Sequence, residues 1–399
     1  MMKKLYFRAI VCMVMTLMML FSLVACASNT PATPPPAAGG ESSSGGGESS
    51  PAGFTGQIRI GVNLPFTGSV ALNGEMIAKG AEFAVYEVNK AGGINGKEVV
   101  LVKEDDQGEP NQAAAIANKF VADPTILAII GNLKSSCTLA AAPILNEGGL
   151  VTLSPDSSSP KVTDAGDWIF RIKNSDVFLA RMAVQAAIDD GYSSVAIMYE
   201  NNDFGMGVLE QATIQLAENG LEPVVTETIL TGEQTDFSTA IANISAAKAD
   251  AVLFGADYNE AGLMMKQMKD AGLDLPRYGT DGLYTNALLE VGGEAANGTN
   301  ALTTFFPTDP NPVVQKYCKD YKAWSGDDAT IFDAEGYDAA MILMEAIKNA
   351  GEDRQAIRDY MATMSYIGVI GDCTFDENGD VNIPLKRVRI VNGAFELLP

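Results

Sequence analysis

Ile58-Arg59-Ile60-Gly61-Val62-Asn63-Leu64, closed by Pro65 and Gly68, is the stretch that decides the fold. A β-rich run ended by turn formers reads as a strand. From Met76 to Asn89 the spacing changes: Ile77, Ala81, Ala84, Val85 and Val88 recur at three and four, which predicts a helix. Gly92, Gly93, Asn95 and Gly96 stop it. Val99 to Lys103 is the next strand, and Pro110 opens a helix through Phe120, where a first-turn proline is tolerated. Ile126 to Ile130 is a third strand, Ser135-Ser136 precede another helix, and Leu150 to Leu153 is a fourth strand. Strands alternating with helices in this way build a parallel sheet covered on both faces.

The rhythm restarts after residue 176. Helices are expected over Phe178–Asp189, Gly207–Glu218, Phe237–Ala247 and Glu260–Ala271. Strands are expected over Val195–Tyr199, Val224–Ile229 and Ala251–Phe254. Two further helices, Asn311–Trp324 and Ala334–Ala350, precede a tail ending in Lys386–Val391. The expected fold class is therefore α/β, with two doubly wound, Rossmann-like lobes. Ligands of such sheets sit beyond the carboxyl ends of the strands, so two facing lobes place a site in the cleft between them.

The composition narrows the chemistry. The chain has 399 residues, 50 acidic and 27 basic, with no histidine and a formal net charge of −23. A hydrophobic fraction of 47% and a charged fraction of 19% are those of a globular protein. Without histidine, Ser–His and Cys–His catalysis and His-based zinc sites are excluded. No basic stripe exists to neutralise phosphates, so nucleic acid is not an expected partner.

The N-terminus reads as an address. Lys3, Lys4 and Arg8 precede an almost wholly apolar run from Ala9 to Ala25, the layout of a secretory signal over residues 1–25. An uncleaved transmembrane anchor is the plainer alternative. Leu23-Val24-Ala25-Cys26 resembles the lipobox of bacterial lipoproteins, which implies cleavage before Cys26 and lipidation of its sulfur. Loss of the three basic residues would take the charge from −23 to −26. Residues 26–56 would then be the lipidated cysteine and a tether rich in Ser, Gly, Pro and Ala, reaching about 30 Å as a coil. Cys137, Cys318 and Cys373 remain in the body, and either a Cys318–Cys373 disulfide or three unpaired thiols fits.

The candidate site residues lie in the strand-end loops. Ser135 and Ser136 at a helix N-terminus offer hydroxyls and orphan amides to a carboxylate; ordinary capping of that helix is the simpler reading. Asp156, Ser157 and Ser158 form a second polar cluster at an equivalent strand end. In the second half, Asp257 and Asp281 follow strands and could face the cleft as anions. Hydroxyls and amides from one lobe and carboxylates from the other suit a zwitterion.

Weaker motifs carry little. Ser158-Ser159-Pro160-Lys161 matches the SxxK pattern of serine acyl enzymes, but so does Ser245-Ala246-Ala247-Lys248, and the partner motifs are missing. Asp376-Glu377-Asn378-Gly379-Asp380 suggests a calcium loop, but position twelve is Arg387, not glutamate. A β-turn between two strands is expected there. No metal-ligand spacing appears, and no cofactor is expected.

Taken together these segments resemble the leucine/isoleucine/valine-binding protein family, the type I periplasmic solute-binding proteins of amino-acid ABC transporters. The likeness runs from about Gln57 to the C-terminus. It is carried by Ile60-Gly61 to Thr67-Gly68, Asn89-Lys90-Ala91-Gly92-Gly93-Ile94-Asn95-Gly96, Asp105-Asp106, Pro110, Gly131, Ser135-Ser136, Thr138, Ser154-Pro155, Phe237-Ser238, Gly279, Asp281-Gly282 and Gly336-Tyr337-Asp338-Ala339. The resemblance implies a hinged, two-lobed type I fold, with 57–175 plus 302–366 as lobe 1 and 176–301 plus 367–399 as lobe 2. It implies that Ser135 binds the carboxylate of an amino acid. Ser157 and Ser158, with Asp156 beside them, would hold carboxylate and ammonium, and Asp281 would pair with the ammonium. Asp257 stands where the family often has tyrosine, Asn73 and Phe204 replace further aromatics, and Phe332 matches a pocket phenylalanine. Lys134 lies where the family pocket is usually apolar, so a polar or charged ligand competes with a branched-chain one.

The expected function is that of a monomeric extracytoplasmic lipoprotein, anchored to the bacterial cell membrane through Cys26, that delivers an amino acid to an ABC transporter permease. A ligand-sensing lipoprotein regulating a membrane receptor or kinase is the alternative. An enzyme using Asp257 and Asp281 as paired carboxylates for glycoside hydrolysis is a third, lesser one.

Overall fold

The structure, a computed structural model, describes residues 53–398. The expected signal segment, Cys26 and nearly all of the expected tether lie outside the described residues. Within the described residues no helix is long and apolar enough to cross a membrane.

Two sheets organise the body. The first has five parallel strands in the order β2-β1-β3-β4-β5: β1 (Gln57–Leu64), β2 (Glu98–Asp105), β3 (Ile126–Gly131), β4 (Thr152–Ser154) and β5 (Ile169–Arg171). Strand β1 lies inside the sheet, with a neighbour on each side, and its Ile58, Ile60, Val62 and Leu64 are all buried. Between these strands lie α1 (Ala71–Lys90), α2 (Pro110–Ala122) and α3 (Ser135–Gly148). Helix α2 starts on its proline, and α3 ends at Gly149, whose φ of 59° makes a left-handed cap.

The second sheet repeats the pattern. Its strands are β6 (Val195–Glu200), β7 (Val225–Ile229), β8 (Ala251–Gly255), β9 (Arg277–Gly279), β10 (Thr299–Thr303), β11 (Lys386–Val391) and β12 (Ala394–Leu397). They run in the order β12-β11-β10-β9-β8-β6-β7. The first five strands pair in parallel and reproduce the order of the first sheet; β11 and β12 close the edge as an antiparallel hairpin. Its helices are α4 (Asp176–Asp189), α5 (Asp203–Glu218), α6 (Ser238–Ala246), α7 (Tyr258–Asp270) and the short α8 (Asn286–Gly292).

The chain then returns to the first sheet with α9 (Pro312–Ser325), α10 (Ile331–Ala350) and α11 (Arg354–Met361). Helix α10 lies against α1 at backbone contact distance. A Cβ at Gly80 would overlap the Asp333 carbonyl, and one at Gly336 would overlap the Ile77 carbonyl. Helix α9 wraps Tyr317, Tyr321 and Trp324 around Phe83, with ring centroids 6.1, 5.6 and 5.3 Å away. The chain thus passes between the sheets three times, over residues 172–175, 304–311 and 362–385.

The strand–helix alternation read from the sequence is the one observed. Strands β5, β10 and β12, three to five residues long, were not read from the sequence. One expectation needs correction. The turn over 376–380 is present, with the Gly379 amide donating to the Asp376 carbonyl at 3.1 Å, but no strand flanks it. Its carboxylate Asp380 instead accepts two bonds of 2.6 Å from the fully buried Arg171. A side-chain anchor therefore replaces the ladder of a hairpin. Cys137, Cys318 and Cys373 are all free thiols.

Candidate functional site

A cavity lies where the carboxyl ends of the two sets of parallel strands meet. Leu133, Lys134, Ser135 and Ser136 reach it from the loop after β3, Asp156 and Ser158 from the loop after β4, and Lys173 from the first crossing. The second sheet contributes Asn202 and Phe204 after β6, Asp257 after β8, and Asp281 with Gly282 after β9. The switch-point rule for open α/β sheets accounts for this convergence.

The α3 end of the cavity is built for an anion. The amides of Cys137 and Thr138 donate to the Lys134 carbonyl at 3.0 Å, while those of Ser135 and Ser136 make no backbone bond among the described residues. The partial positive end of the helix is thus open at the wall. Ser135 does not cap α3; the N-cap position is Lys134. The Ser135 hydroxyl accepts from the amides of Ser158 and Ser159 at 3.2 and 3.1 Å, fastening the loop after β4 to the start of α3. Arg171 supports the same loop, donating to the Ser159 carbonyl at 2.9 Å.

The cavity wall also holds a buried charge cluster. Lys173 is paired with Asp156, with Asp281 at 2.7 Å and with Glu335 of α10 at 3.1 Å. Burial lowers the proton affinity of Lys173, but the three carboxylates outweigh it, and its pKa stands well above the ordinary value. Burial pushes Asp156 up to about 6, against the opposing pull of Lys173 and with the help of Asp281. Glu335 is likewise raised by burial. One lysine facing three carboxylates leaves the cluster short of positive charge, a deficit that an incoming ammonium would reduce.

A second cluster closes the remaining side. Asp257 is the N-cap residue of α7, yet its side chain makes no capping bond. Burial, with Glu200 next and Glu260 adding to it, raises its pKa well above the ordinary range while Lys134 opposes. Burial disfavours the charged form of Lys134, but Asp257, Glu200 and Glu260 overcome that and raise its pKa. Glu200 is pinned behind the wall, accepting from the Asp257 amide at 2.8 Å and from the Thr231 hydroxyl at 3.0 Å.

Of the residues singled out in the sequence, Ser135, Asp156, Ser158, Phe204, Asp257 and Asp281 share the cavity wall. Ser157 is turned away: its hydroxyl bonds Thr138 at 2.7 Å and the carbonyls of Leu133 and Asn132 at 3.1 and 3.2 Å. Asn73 is buried near the start of α1, off the wall, with its Oδ1 unpartnered. Phe332 lies behind the wall, its ring centroid 6.0 Å from Lys173 Nζ. The sequence reading missed Lys173, Asn202 and Glu335. Lys173 was findable: it follows β5 just as Ser135 follows β3, so seeing Ile169–Arg171 as a strand would have placed it at the site. Glu335 carried no such signal, because it sits within α10, far along the chain.

Two matched parallel sheets with the cavity between their strand ends define the class of a bilobal binding protein. The sequence pattern of the family described as periplasmic binding protein matches residues 57–394, and the chain belongs to that family. This is a family of solute-binding proteins, and the glycosidase reading of Asp257 and Asp281 is set aside. The chain is 34% identical over 333 residues to Leu/Ile/Val-binding protein homolog 1 of Brucella suis, covering 82% of this chain and 88% of that one. It is 30% identical over 329 residues to the leucine-, isoleucine-, valine-, threonine- and alanine-binding protein of Pseudomonas aeruginosa, covering 81% and 87%. Among solved structures, the leucine-binding protein LivK of Thermotoga maritima superimposes with a TM-score of 0.80 at 30% identity, over 86% of this chain and 98% of that chain. The substrate-binding protein LivJ of Streptococcus pneumoniae, solved with isoleucine, gives 0.79 at 27% identity, over 86% and 99%.

Proposed function

We propose that this protein is an extracytoplasmic lipoprotein that captures an α-amino acid between its two lobes and delivers it to an ABC transporter permease. The observation that carries the reading is the polarity of the cavity. Open amides and serine hydroxyls at the start of α3 line the same cavity as the carboxylates of Asp156 and Asp281. An α-amino acid presents a carboxylate and an ammonium with matching polarity. The relatives named for leucine, isoleucine and valine binding support the same ligand class. Closure of the lobes would exclude water from both charges and create the surface that a permease reads. Lipidation at Cys26 and the tether up to residue 56 would hold the monomer beside its transporter. Calorimetric titration of the purified protein with the common amino acids tests the ligand, and the absence of any binding would end the reading. Membrane fractionation of the full chain and of Cys26→Ser tests the anchor: the wild type should sediment with membranes and the variant should not.

A further inference from the structure

Of the side chains that line the cavity, only Leu133 and Phe204 are apolar. A branched aliphatic side chain would displace water from the polar groups among the rest without replacing its hydrogen bonds. The two charged residues away from the Lys173 cluster are Lys134, from the loop after β3, and Asp257, from the loop after β8. They approach the cavity from different sheets, and among the described residues neither side chain makes an ion pair within 4.0 Å or a hydrogen bond. Asp257 is also the N-cap residue of α7, yet its carboxyl makes no capping bond. One donor and one acceptor, both uncommitted, face the same space.

We propose that the ligand is an amino acid whose side chain ends in a carboxamide, its carbonyl oxygen accepting from Lys134 and its amide nitrogen donating to Asp257. This rests on the amino-acid reading above and narrows it. Either charged class would gain one group and oppose the other. A carboxylate side chain would gain Lys134 but would also meet Asp257. A cationic side chain would gain Asp257 but would also meet Lys134. A carboxamide is neutral, answers both groups, and leaves neither buried without a partner. Sites built around buried polar groups discriminate strongly against ligands that cannot satisfy them.

Isothermal titration of the wild-type protein with glutamine, asparagine, leucine, isoleucine, valine, glutamate and lysine tests this directly. Glutamine or asparagine should bind at least tenfold more tightly than any other member of the set. A branched-chain or charged amino acid binding as tightly as the amides overturns the inference while leaving the amino-acid reading intact. Binding by none of them overturns the inference, and the amino-acid reading falls with it only when the remaining common amino acids also fail to bind. Lys134→Met and Asp257→Leu, checked for folding by their melting curves, should each lower the ratio of amide to leucine affinity. An unchanged ratio in folded variants overturns the assigned roles, and the wild-type panel decides the ligand class even if neither variant folds.

Discussion

Lys173 reaches Asp281 across the cleft, Nζ to Oδ2, at 2.7 Å. The lysine stands on the first crossing between the sheets; the aspartate follows β9 of the second sheet. The other two partners of Lys173, Asp156 and Glu335, lie on the side of the first sheet. A single ammonium thus ties carboxylates from both halves of the molecule, in surroundings where the lysine side chain is only 4% exposed.

Removing that ammonium should be costly. Lys173→Met would leave three buried carboxylates without their cation, and breaking a buried ion pair typically costs about 3–5 kcal/mol. Urea unfolding should show a midpoint well below wild type, whereas Lys173→Arg should retain much of the stability because the charge remains.

Asp281 also faces the cavity, where it is positioned to meet a ligand ammonium as well as Lys173. Asp281→Asn should weaken amino-acid binding by about 1.5–3 kcal/mol, roughly 10- to 150-fold, because a charge-assisted bond is replaced by a neutral one. Calorimetry on the purified variant measures this, with the enthalpy becoming less favourable.

Arg171 and Asp380 offer a test away from the ligand. The buried guanidinium meets the carboxylate through two bonds and also donates to the Thr163 hydroxyl at 2.7 Å. Asp380→Ala should destabilise the protein by about 3–5 kcal/mol, since it strands a buried cation. Because Arg171 also holds the Ser159 carbonyl, ligand affinity should fall as well.

Asp176 predicts a pH dependence. Its carboxyl is fully buried, and burial pushes its pKa up to about 8 against the opposing pull of Ser158, Arg171 and Lys173. An unfolded aspartate titrates near 3.9, so the folded state holds the proton more tightly. This residue therefore costs no stability below the unfolded pKa. The penalty grows as pH rises through the interval and is complete above about 8. Asp176→Asn, which is neutral throughout, should raise the melting temperature at pH 8.5 by several degrees and leave it almost unchanged at pH 4. A gain of equal size at both values would show that the carboxyl titrates normally.

Much of the fold was legible because its signals are local. The β-rich run of β1, the three- and four-residue spacing of α1 and the proline opening α2 act within a few residues of chain. The site was legible in part for the same reason: Ser135, Ser158, Asp257 and Asp281 all follow strands, and strand ends face the cleft. The errors also have a common cause. Ser157 sits in the right loop, but its hydroxyl finds nearer partners in Thr138 and two carbonyls. The turn at Asp376 kept its local geometry, but its flanks are held by Arg171 rather than by a strand partner.

By itself the sequence determined two doubly wound sheets and the loops that had to converge between them, because periodicity and turn residues act over short stretches of chain. The family resemblance, carried by motifs spread over the body, followed from the same residues. Only the tertiary structure decided that Lys173 gathers Asp156, Asp281 and Glu335, residues as much as 179 positions apart. Only it decided that Lys134 and Asp257 share one cavity without pairing. Charge interactions act through space and depend on burial, so their partners become defined only when the chain crosses between the sheets and brings distant loops together.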